Sequence, residues 1–409
     1  MTEAARRVGG AIRAKRIERG LSQGAFGKLI GRSGSWVGQV ERGDRKIDRM
    51  SVLEKISEVA GIPIADLMSA AAFAAASPGK PLAVSELAMA LLRSSGLRFG
   101  LRRPSEPKPH ARHEPASLIE RAAQAWELVH GSSYDTLAKQ LLDLLPELET
   151  AVRATDGEPK KALYTALASA YHTAAAVLSK LDEPAAAWVA ADRAISAAEH
   201  TGDPMLVAAG AFRLTLAFQS ARSLELAWAT AEDADEALTA FGTTDPVAVS
   251  LRGALKLQLA VIASRLGDAD TAYAQLDLAH ELAERNGRNR NDHGTEFGPA
   301  NVGVHEVTIA LALGDSGRAL RVGEALDVSG LSVERRARLL IDLARAHAQR
   351  RNLAGVVAAL TAADDLAPQQ VRTHPAVRTL LSDLGETTAA NDDEAFTELK
   401  TRLATSPIE

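Results

Sequence analysis

Hydrogen-bonding side chains are concentrated between residues 286 and 306, where asparagine, arginine and histidine alternate with glycine. An asparagine or histidine that faces a groove can bond a peptide backbone, so Arg290, Asn301 and His305 are candidate ligand-binding residues. A metal site in this stretch would use His293, Glu296, His305 and Glu306. The gap between Glu296 and His305 fits no metal-site spacing, so we expect no metal and no cofactor. The alternative is a long loop in which glycine and asparagine form turns.

Cationic side chains form a second cluster, near the N-terminus, at Arg32, Arg42, Arg45 and Lys46. Groups of this kind can neutralise phosphates. The net charge is +5 for residues 1–70, +4 for 71–116 and −14 for the remainder, although the whole chain carries only −5. A basic N-terminal part on an acidic body indicates an anionic partner for the N-terminal part alone. Ordinary scatter of surface charge is the alternative explanation.

The sequence contains none of the common catalytic motifs: no P-loop, no Gly-x-Gly-x-x-Gly after a strand, no Gly-x-Ser-x-Gly and no His-Glu-x-x-His. Cysteine is absent, which excludes disulfides and cysteine nucleophiles and is typical of a reducing cytoplasm. No apolar run approaches the roughly 18 residues of a membrane span, and the start of the chain has no signal-peptide core. We therefore expect a cytoplasmic protein that is not an enzyme and has no membrane partner.

Helices must position these candidate residues, because a chain with 46% hydrophobic but only 4% aromatic residues suits closely spaced helices. Five short helices are predicted in the N-terminal part, at about residues 6–18, 23–30, 34–42, 50–60 and 64–68. Ser22 and Ser33 can cap the second and third helices. Gly20, Gly31 and Gly43 can end the first, second and third helices, respectively. Two short helices joined by a tight turn within such a set indicate a helix-turn-helix domain.

An ordered set of residues in this part resembles the Cro/phage-repressor (XRE) type of helix-turn-helix family. The matching residues are Leu21-Ser22-Gln23, Phe26-Gly27, Ile30-Gly31, Ser33, Val37, Val40-Glu41-Arg42-Gly43, Leu53, Ile56 and Ile62. The resemblance covers about residues 6–68. In detail the sequence is similar to that of regulators of high-GC actinobacteria, in which a stretch like residues 31–43 recurs. It implies a domain that binds double-stranded operator DNA.

The resemblance also implies which residues meet DNA. The third predicted helix would enter the major groove, where Ser35, Trp36 and Gln39 are the candidates for contact with bases. Gln39 can bond adenine through two hydrogen bonds, and the Trp36 ring can pack on a thymine methyl group or a sugar. Gln23 would contact phosphate at the start of the second helix. For each residue a plain alternative stands, namely that Trp36 is a packing residue and that Gln39 is merely exposed.

The flanking residues Arg32, Ser33, Arg42, Arg45 and Lys46 complete the predicted DNA-binding set. Arg32 stands where many family members have an apolar residue, so we expect it to face the DNA backbone. Gly34 and Gly38 lie on the predicted reading helix, each at a cost of about 1 kcal/mol relative to alanine. Because they offer no side chain to a base, we expect the affinity for DNA to depend more on phosphate contacts and on DNA shape.

Residues 71–116 are predicted to be an alanine- and proline-rich basic linker with one helix at 82–93. From residue 117 to 409 the pattern indicates paired helices. Turns recur at Asp182, Ser223, Asp268, Asp315 and Asn352, in steps of 41, 45, 47 and 37 residues. Approximate recurrence of a two-helix unit predicts an α-solenoid, and the small residues around Tyr171 and Ala194 resemble tetratricopeptide repeats over about residues 118–385. The predicted fold is therefore all-α, a five-helix domain followed by a solenoid.

A repressor-type domain joined to a tetratricopeptide-like body is similar to bacterial peptide-sensing regulators, and the stretch around Phe297 to His305 is similar to a segment of related actinobacterial regulators. The resemblance implies a homodimeric transcription regulator of the cytoplasm and nucleoid, whose two N-terminal domains read half-sites roughly 34 Å apart. Its body would pair the protomers and bind a peptide or small effector. The alternative is a protein-interaction adaptor whose solenoid recruits a partner while the N-terminal domain binds DNA only weakly.

Overall fold

A computed structural model describes residues 3–42, 50–62, 80–93, 113–242, 244–385 and 392–404. The chain divides into two compact units, unit 1 at Met1–Pro78 and unit 2 at Gly79–Glu409. Every regular element of the described residues is helical, apart from one isolated bridge between Arg290 and Phe297. The all-α fold class is thus confirmed. The predicted fifth helix at 64–68, the helix end at Gly43 and most of the predicted linker lie outside the described residues.

Unit 1 contains four described helices: α1 (Glu3–Glu18), α2 (Gln23–Leu29), α3 (Gly34–Glu41) and α4 (Met50–Ala60). Both predicted caps are present, because Ser22 Oγ accepts from the Ala25 amide at 3.1 Å and Ser33 Oγ accepts from the Trp36 amide at 3.2 Å. The buried apolar residues of the unit are Ile12, Phe26, Ile30, Trp36, Val37, Val40, Ile56, Ala60 and Ile62. These residues fix the short turn between α2 and α3, which is the helix-turn-helix arrangement.

Unit 2 contains sixteen described helices. They are α5 (Leu82–Leu92), α6 (Pro115–His130), α7 (Tyr134–Ala154), α8 (Glu158–Lys180), α9 (Pro184–Glu199), α10 (Pro204–Ser220), α11 (Leu224–Thr239), α12 (Pro246–Leu266), α13 (Ala269–Asn286), α14 (Pro299–Ala312), α15 (Ser316–Ala325), α16 (Val333–Gln349), α17 (Leu353–Leu366), α18 (Pro368–Thr373), α19 (Pro375–Gly385) and α20 (Glu394–Ala404). Proline begins many of them, since a first helical residue needs no amide donor.

The helix predicted inside the linker is part of unit 2. On α5, Val84, Leu87 and Leu91 are at most 3% exposed and share one core with α7 and α9. Burial of these apolar side chains against neighbouring helices favours a compact arrangement over an exposed tether. Unit 2 begins at Gly79 and includes this helix, whereas residues 94–112 of the predicted linker lie outside the described residues.

Helices of unit 2 pack in consecutive pairs joined by tight turns at the positions that the sequence spacing indicated: α8/α9, α10/α11, α12/α13, α14/α15 and α16/α17. Asp268, Asp315 and Asn352 each accept a hydrogen bond from a backbone amide in the first turn of the helix that follows. One described helix, α12, is long and apolar enough to cross a membrane, and 83% of its apolar window is buried in unit 2.

The first and last parts of unit 2 contact each other directly. Ser132 Oγ donates to Gln370 Oε1 at 2.8 Å, and Gln369 Oε1 accepts from the Tyr134 amide at 2.9 Å. Lys180 on α8 also pairs with Glu334 on α16 at 2.5 Å. These contacts join helices that are far apart in sequence. The helix pairs surround a cavity, which is the second candidate site.

Candidate functional site

A narrow polar stripe runs along the accessible side of α3. Ser35 and Arg42 are exposed and Gln39 is partly exposed. Their spacing of four and then three residues places them on one helix face. The structure thus brings three of the predicted DNA-binding residues to one face of α3. Arg45 and Lys46 lie outside the described residues.

Trp36 belongs to the core of unit 1. It is only 8% exposed and packs with the apolar residues that hold α2 against α3. The Arg32 guanidinium lies over its ring, 5.4 Å from the centroid, at the distance of a cation–π contact. This geometry favours the packing alternative for Trp36 over contact with a base. Arg32, partly exposed, covers the tryptophan at the start of α3.

A buried ion pair fixes the other end of α3. Arg16 Nε and Nη2 donate to the two carboxylate oxygens of Glu41 at 2.5 and 3.0 Å, and Arg16 Nη1 donates to the Leu21 carbonyl at 2.6 Å. Only 2% of the Glu41 side chain is exposed. Although burial opposes ionisation, hydrogen bonds from Arg16 and Gln23 hold the pKa of Glu41 below its ordinary value. The pair joins α1 to α3, and no local sequence pattern indicates it.

Gln23 stands at the first position of α2, where its side-chain Nε2 donates to Glu41 Oε2 at 2.8 Å. An amide nitrogen has two hydrogens, so the second stays available to a phosphate oxygen. The contact with Glu41 orients the amide, and the start of α2 adds its free backbone N–H groups and positive dipole end. The phosphate contact that the resemblance implies for Gln23 stays a prediction.

The two glycines of α3 permit a close approach between helices. A Cβ at Gly34 would lie 3.0 Å from the Cα of Gly24 on α2, and a Cβ at Gly38 would lie 3.1 Å from the side-chain oxygen of Gln23. A side chain at position 34 would press on the backbone of α2, whereas one at position 38 would displace only the end of the Gln23 side chain. Gly34, which weakens α3 as an isolated helix, thus permits its close packing on α2.

A cavity of about 440 Å³ lies inside unit 2, between alternate helices of the array. Residues around it include Tyr134 of α7, Phe212 of α10, Val261 of α12, Val304 of α14 and His374 before α19. Its volume is within the range of small-molecule sites. Six of the described lining residues are cationic: Lys180, Arg213, Arg265, Arg335, Arg338 and Arg345. Two are carboxylates, Asp182 and Glu334.

Most of these charges are paired. Glu334 accepts from Lys180 and lies 3.5 Å from Arg335, so that despite its burial the pKa of Glu334 falls to about 2. Beneath the cavity wall, Asp342 pairs with Arg338 at 3.2 Å and with Arg345 at 2.8 Å. These two arginines likewise overcome the effect of burial and lower the pKa of Asp342 to about 2.

Arg213, like Arg265, has no described carboxylate within ion-pairing distance. It is 3% exposed, and its Nη2 donates to the carbonyls of His293 and Gly294 at 3.0 and 2.8 Å. The guanidinium lies 4.7 Å from the Trp126 ring centroid. Burial and the nearby Arg335 lower the pKa of Arg213 to about 9, so it remains charged at pH 7.

Of the three predicted ligand-binding residues, His305 alone lines this cavity. Its Nδ1 donates to the Asn301 carbonyl at 2.9 Å, and burial together with Arg335 lowers the pKa of His305 to about 3, which keeps the ring neutral. Asn301 is 1% exposed beside the cavity. Arg290 instead forms two hydrogen bonds with Asp292, at 2.6 and 2.8 Å, and stabilises the loop between α13 and α14.

The residues of the metal alternative have separate partners. Glu296 accepts from Ser332 Oγ at 3.0 Å, whereas Glu306 accepts from Arg318 at 2.9 Å. Within the described ranges, no group of three histidine or carboxylate side chains is arranged to hold a metal ion.

Comparison with known proteins assigns the N-terminal part. Residues 7–70 match the model of a family described as a helix-turn-helix domain. No curated protein sequence matches the chain. Among solved structures, the chain aligns with the crystal structure of Bacillus thuringiensis PlcR in complex with the peptide PapR7 and DNA, at a TM-score of 0.27 and 14% identity, over 68% of this chain and 96% of that one. A TM-score this low supports no common fold. The family match and the packing of α2 against α3 together make residues 7–70 a helix-turn-helix domain, which is followed by an array of paired helices.

Proposed function

We propose that this protein is a sequence-specific, DNA-binding transcription regulator of the cytoplasm. The observation that carries the proposal is the stripe of Ser35, Gln39 and Arg42 on the open side of α3, the second helix of the helix-turn-helix. In this type of domain the second helix lies in the major groove and presents its side chains to base edges. The protein has no enzymatic role in this proposal.

Two residues of the stripe, Gln39 and Arg42, have distinct tasks, and two further residues of unit 1 support them. Gln39 carries both a donor and an acceptor and can bond adenine through two hydrogen bonds, which distinguishes adenine from the other bases. Arg42 at the end of α3 contributes charge toward phosphate, and Gln23 positions the domain through a second phosphate. Trp36 supports the reading helix from inside, since its ring packs in the core of unit 1.

Unit 2 has two tasks in this proposal, to pair two copies of the chain and to bind an effector. A homodimer would present two copies of α3 to half-sites about one helical turn, roughly 34 Å, apart. The cavity supports the effector role because it has the volume of a small-molecule site and is lined by polar and apolar side chains from eight helices. An effector would act only if its affinity differed between two arrangements of the reading domains.

The direct test is selection of bound duplexes from a random library, followed by fluorescence anisotropy with the full chain at about 0.15 M salt. We expect the selected duplex to contain two related half-sites and to bind far more tightly than a scrambled duplex of equal length. Specific regulators exceed their non-specific affinity by roughly 10³-fold or more. A preference below about tenfold would refute the regulator and favour the adaptor.

A further inference from the structure

The cavity of unit 2 has more positive charge than its carboxylates neutralise. Six of the described lining residues are cationic and two are acidic. Two carboxylates behind the wall, Asp342 and Glu296, compensate Arg338, Arg345 and part of Arg335. When these are included, six cations face four carboxylates, and the excess is located at Arg213 and Arg265.

Arg213 supplies the strongest evidence, because a buried guanidinium without an anion is costly. Transfer of a charge out of water is compensated in proteins by a close opposite charge or a full set of hydrogen bonds. Arg213 has two carbonyl contacts through one nitrogen, and its Nε is buried with no hydrogen-bond partner among the described residues. The rings of Trp126 and Phe212 hold the guanidinium plane in position.

Neighbouring groups extend this arrangement into a site. Arg335 Nε lies 3.3 Å from Glu296 and 3.5 Å from Glu334, but neither carboxylate is aligned to accept a hydrogen bond from it. Arg265 lines the cavity from the exposed end of α12 and has no hydrogen bond or ion pair to any described residue. Guanidinium groups offer planar forks of N–H donors, and these match the paired oxygens of carboxylates and phosphates.

The histidines of the cavity also indicate a positive electrostatic field. Burial and Arg335 depress the pKa of His305, and burial and Arg338 depress that of His374, in both cases to about 3. Neutral imidazole rings beside several arginines avoid additional repulsion. Both nitrogens of His374 already have protein partners, since Nδ1 accepts from the Ala376 amide at 3.2 Å and Nε2 lies 3.5 Å from Arg338 Nη1. Phe212, Leu216 and Val261 provide apolar surface for the remainder of an organic molecule.

We infer that this cavity binds its effector through an oxyanion, a carboxylate or phosphate group held at Arg213 and Arg335, while Arg265 adds positive charge from the exposed end of α12. The inference rests on the proposed function only for its effect on DNA binding, since occupation of the cavity does not require DNA. An oxyanion in the cavity would supply the negative charge that Arg213 lacks and would add to the partial compensation that Arg335 receives from Glu296 and Glu334.

Fluorescence titration of the full chain at constant ionic strength tests the inference. The probes are inorganic phosphate, phenyl phosphate, N-acetylleucine and the uncharged N-acetylleucine amide, each compared with sodium chloride. Because Arg213 lies over Trp126, an anion bound there should change the emission of that tryptophan, and Trp126→Phe should remove the signal. We expect saturable binding of phosphate and of at least one organic anion, and none of the amide. A stronger response to phenyl phosphate or to N-acetylleucine identifies the source of the oxyanion.

Two variants and a matched control locate the site. Arg213→Met should weaken phosphate binding at least tenfold, the equivalent of one charge-assisted hydrogen bond. Arg265→Gln should weaken it about threefold or more, and it keeps the test valid if Arg213→Met fails to fold, because Arg265 makes no hydrogen bond within the described part of the chain. Arg285→Gln removes the same charge from an exposed position outside the cavity and should leave the affinity unchanged.

The inference is overturned if none of the three anions gives a saturable change. It is also overturned if the amide binds as tightly as N-acetylleucine, or if Arg285→Gln weakens phosphate binding as much as Arg265→Gln does. DNA binding without added anion is measured separately. A failure in the titration together with intact sequence preference for DNA would therefore remove the oxyanion site alone and leave the proposed function standing.

Discussion

Replacement of Glu41 with glutamine removes the anion on which Arg16 and Gln23 converge. Three side-chain hydrogen bonds reach this carboxylate, two from Arg16 and one from Gln23, and only 2% of the Glu41 side chain is exposed. Breaking a buried pair by neutralising one partner costs about 3–5 kcal/mol. Glutamine retains one acceptor, so we expect a loss of about 3 kcal/mol in the free energy of unfolding of unit 1.

Such a loss is large for a small domain. At about 0.05–0.15 kcal/mol per residue, unit 1 has a total stability of roughly 4–12 kcal/mol. A loss of about 3 kcal/mol corresponds to a roughly hundredfold increase in the opening equilibrium. Hydrogen exchange of the full chain at pH 7, followed by mass spectrometry of peptides from α1 and α3, measures this directly. Peptides from unit 2 provide an internal reference, since their exchange should stay unchanged.

Glu18→Gln is the matched control. Glu18 pairs with Lys15 at 2.8 Å, but both side chains are exposed, and exposed pairs of this kind contribute little. We expect no measurable acceleration of exchange in this variant. Equal exchange in wild-type protein and Glu41→Gln would refute the conclusion that the ion pair between α1 and α3 stabilises unit 1. An effect of equal size in Glu18→Gln would show that it arises from net charge instead.

Two further predictions concern unit 1. Because the pKa of Glu41 is lowered in the folded state, its contribution to stability is present above the ordinary value of 4.5 and is lost as the pH falls below it. The free energy of unfolding, measured with urea on a variant with Trp36 as the sole tryptophan, should therefore fall between about pH 5 and 3. Glu41→Gln should abolish most of that pH dependence. Gly9→Ala and Gly10→Ala should act with opposite sign. A Cβ at Gly9 overlaps the Val40 carbonyl oxygen, which should cost about 1–3 kcal/mol, whereas a Cβ at Gly10 meets nothing within 4 Å and should add about 0.5–1 kcal/mol of helix stability. The same urea assay measures the free energy of unfolding of both variants. If both changes had the same sign, the packing of α1 on α3 would be contradicted.

Much of the local structure of the chain could be predicted from its sequence. Helix boundaries follow from chemistry within a few residues, such as the Ser22 and Ser33 caps and the prolines at Pro184 and Pro246, which begin α9 and α12. Interior positions such as Ile56 follow from the spacing of apolar residues. These features need no knowledge of distant partners, which is why a single sequence reveals them.

Features that join distant residues could not be predicted. Glu41 looks like an ordinary helix-end charge until Arg16, 25 residues earlier, is seen to enclose it. Arg213 and Arg335 are 122 positions apart in sequence, and only the packing of α10 and α16 brings them to one cavity. Local composition made Arg290 a candidate ligand-binding residue, but only the structure reveals that it is not among the residues around the cavity and that two of its N–H groups donate to Asp292.

The central claim, that α3 reads base sequence through Gln39, is tested most directly by anisotropy titrations of Gln39→Ala on the selected duplex and on its scrambled version. We expect Gln39→Ala to lose about 1–3 kcal/mol on the selected duplex and nothing on the scrambled one, whereas Arg42→Ala should weaken both duplexes alike. Gln124→Ala, the same truncation on an exposed position of unit 2, should change neither affinity. If Gln39→Ala retains the full preference for the selected duplex, or weakens both duplexes equally, Gln39 does not read DNA sequence and the account is contradicted.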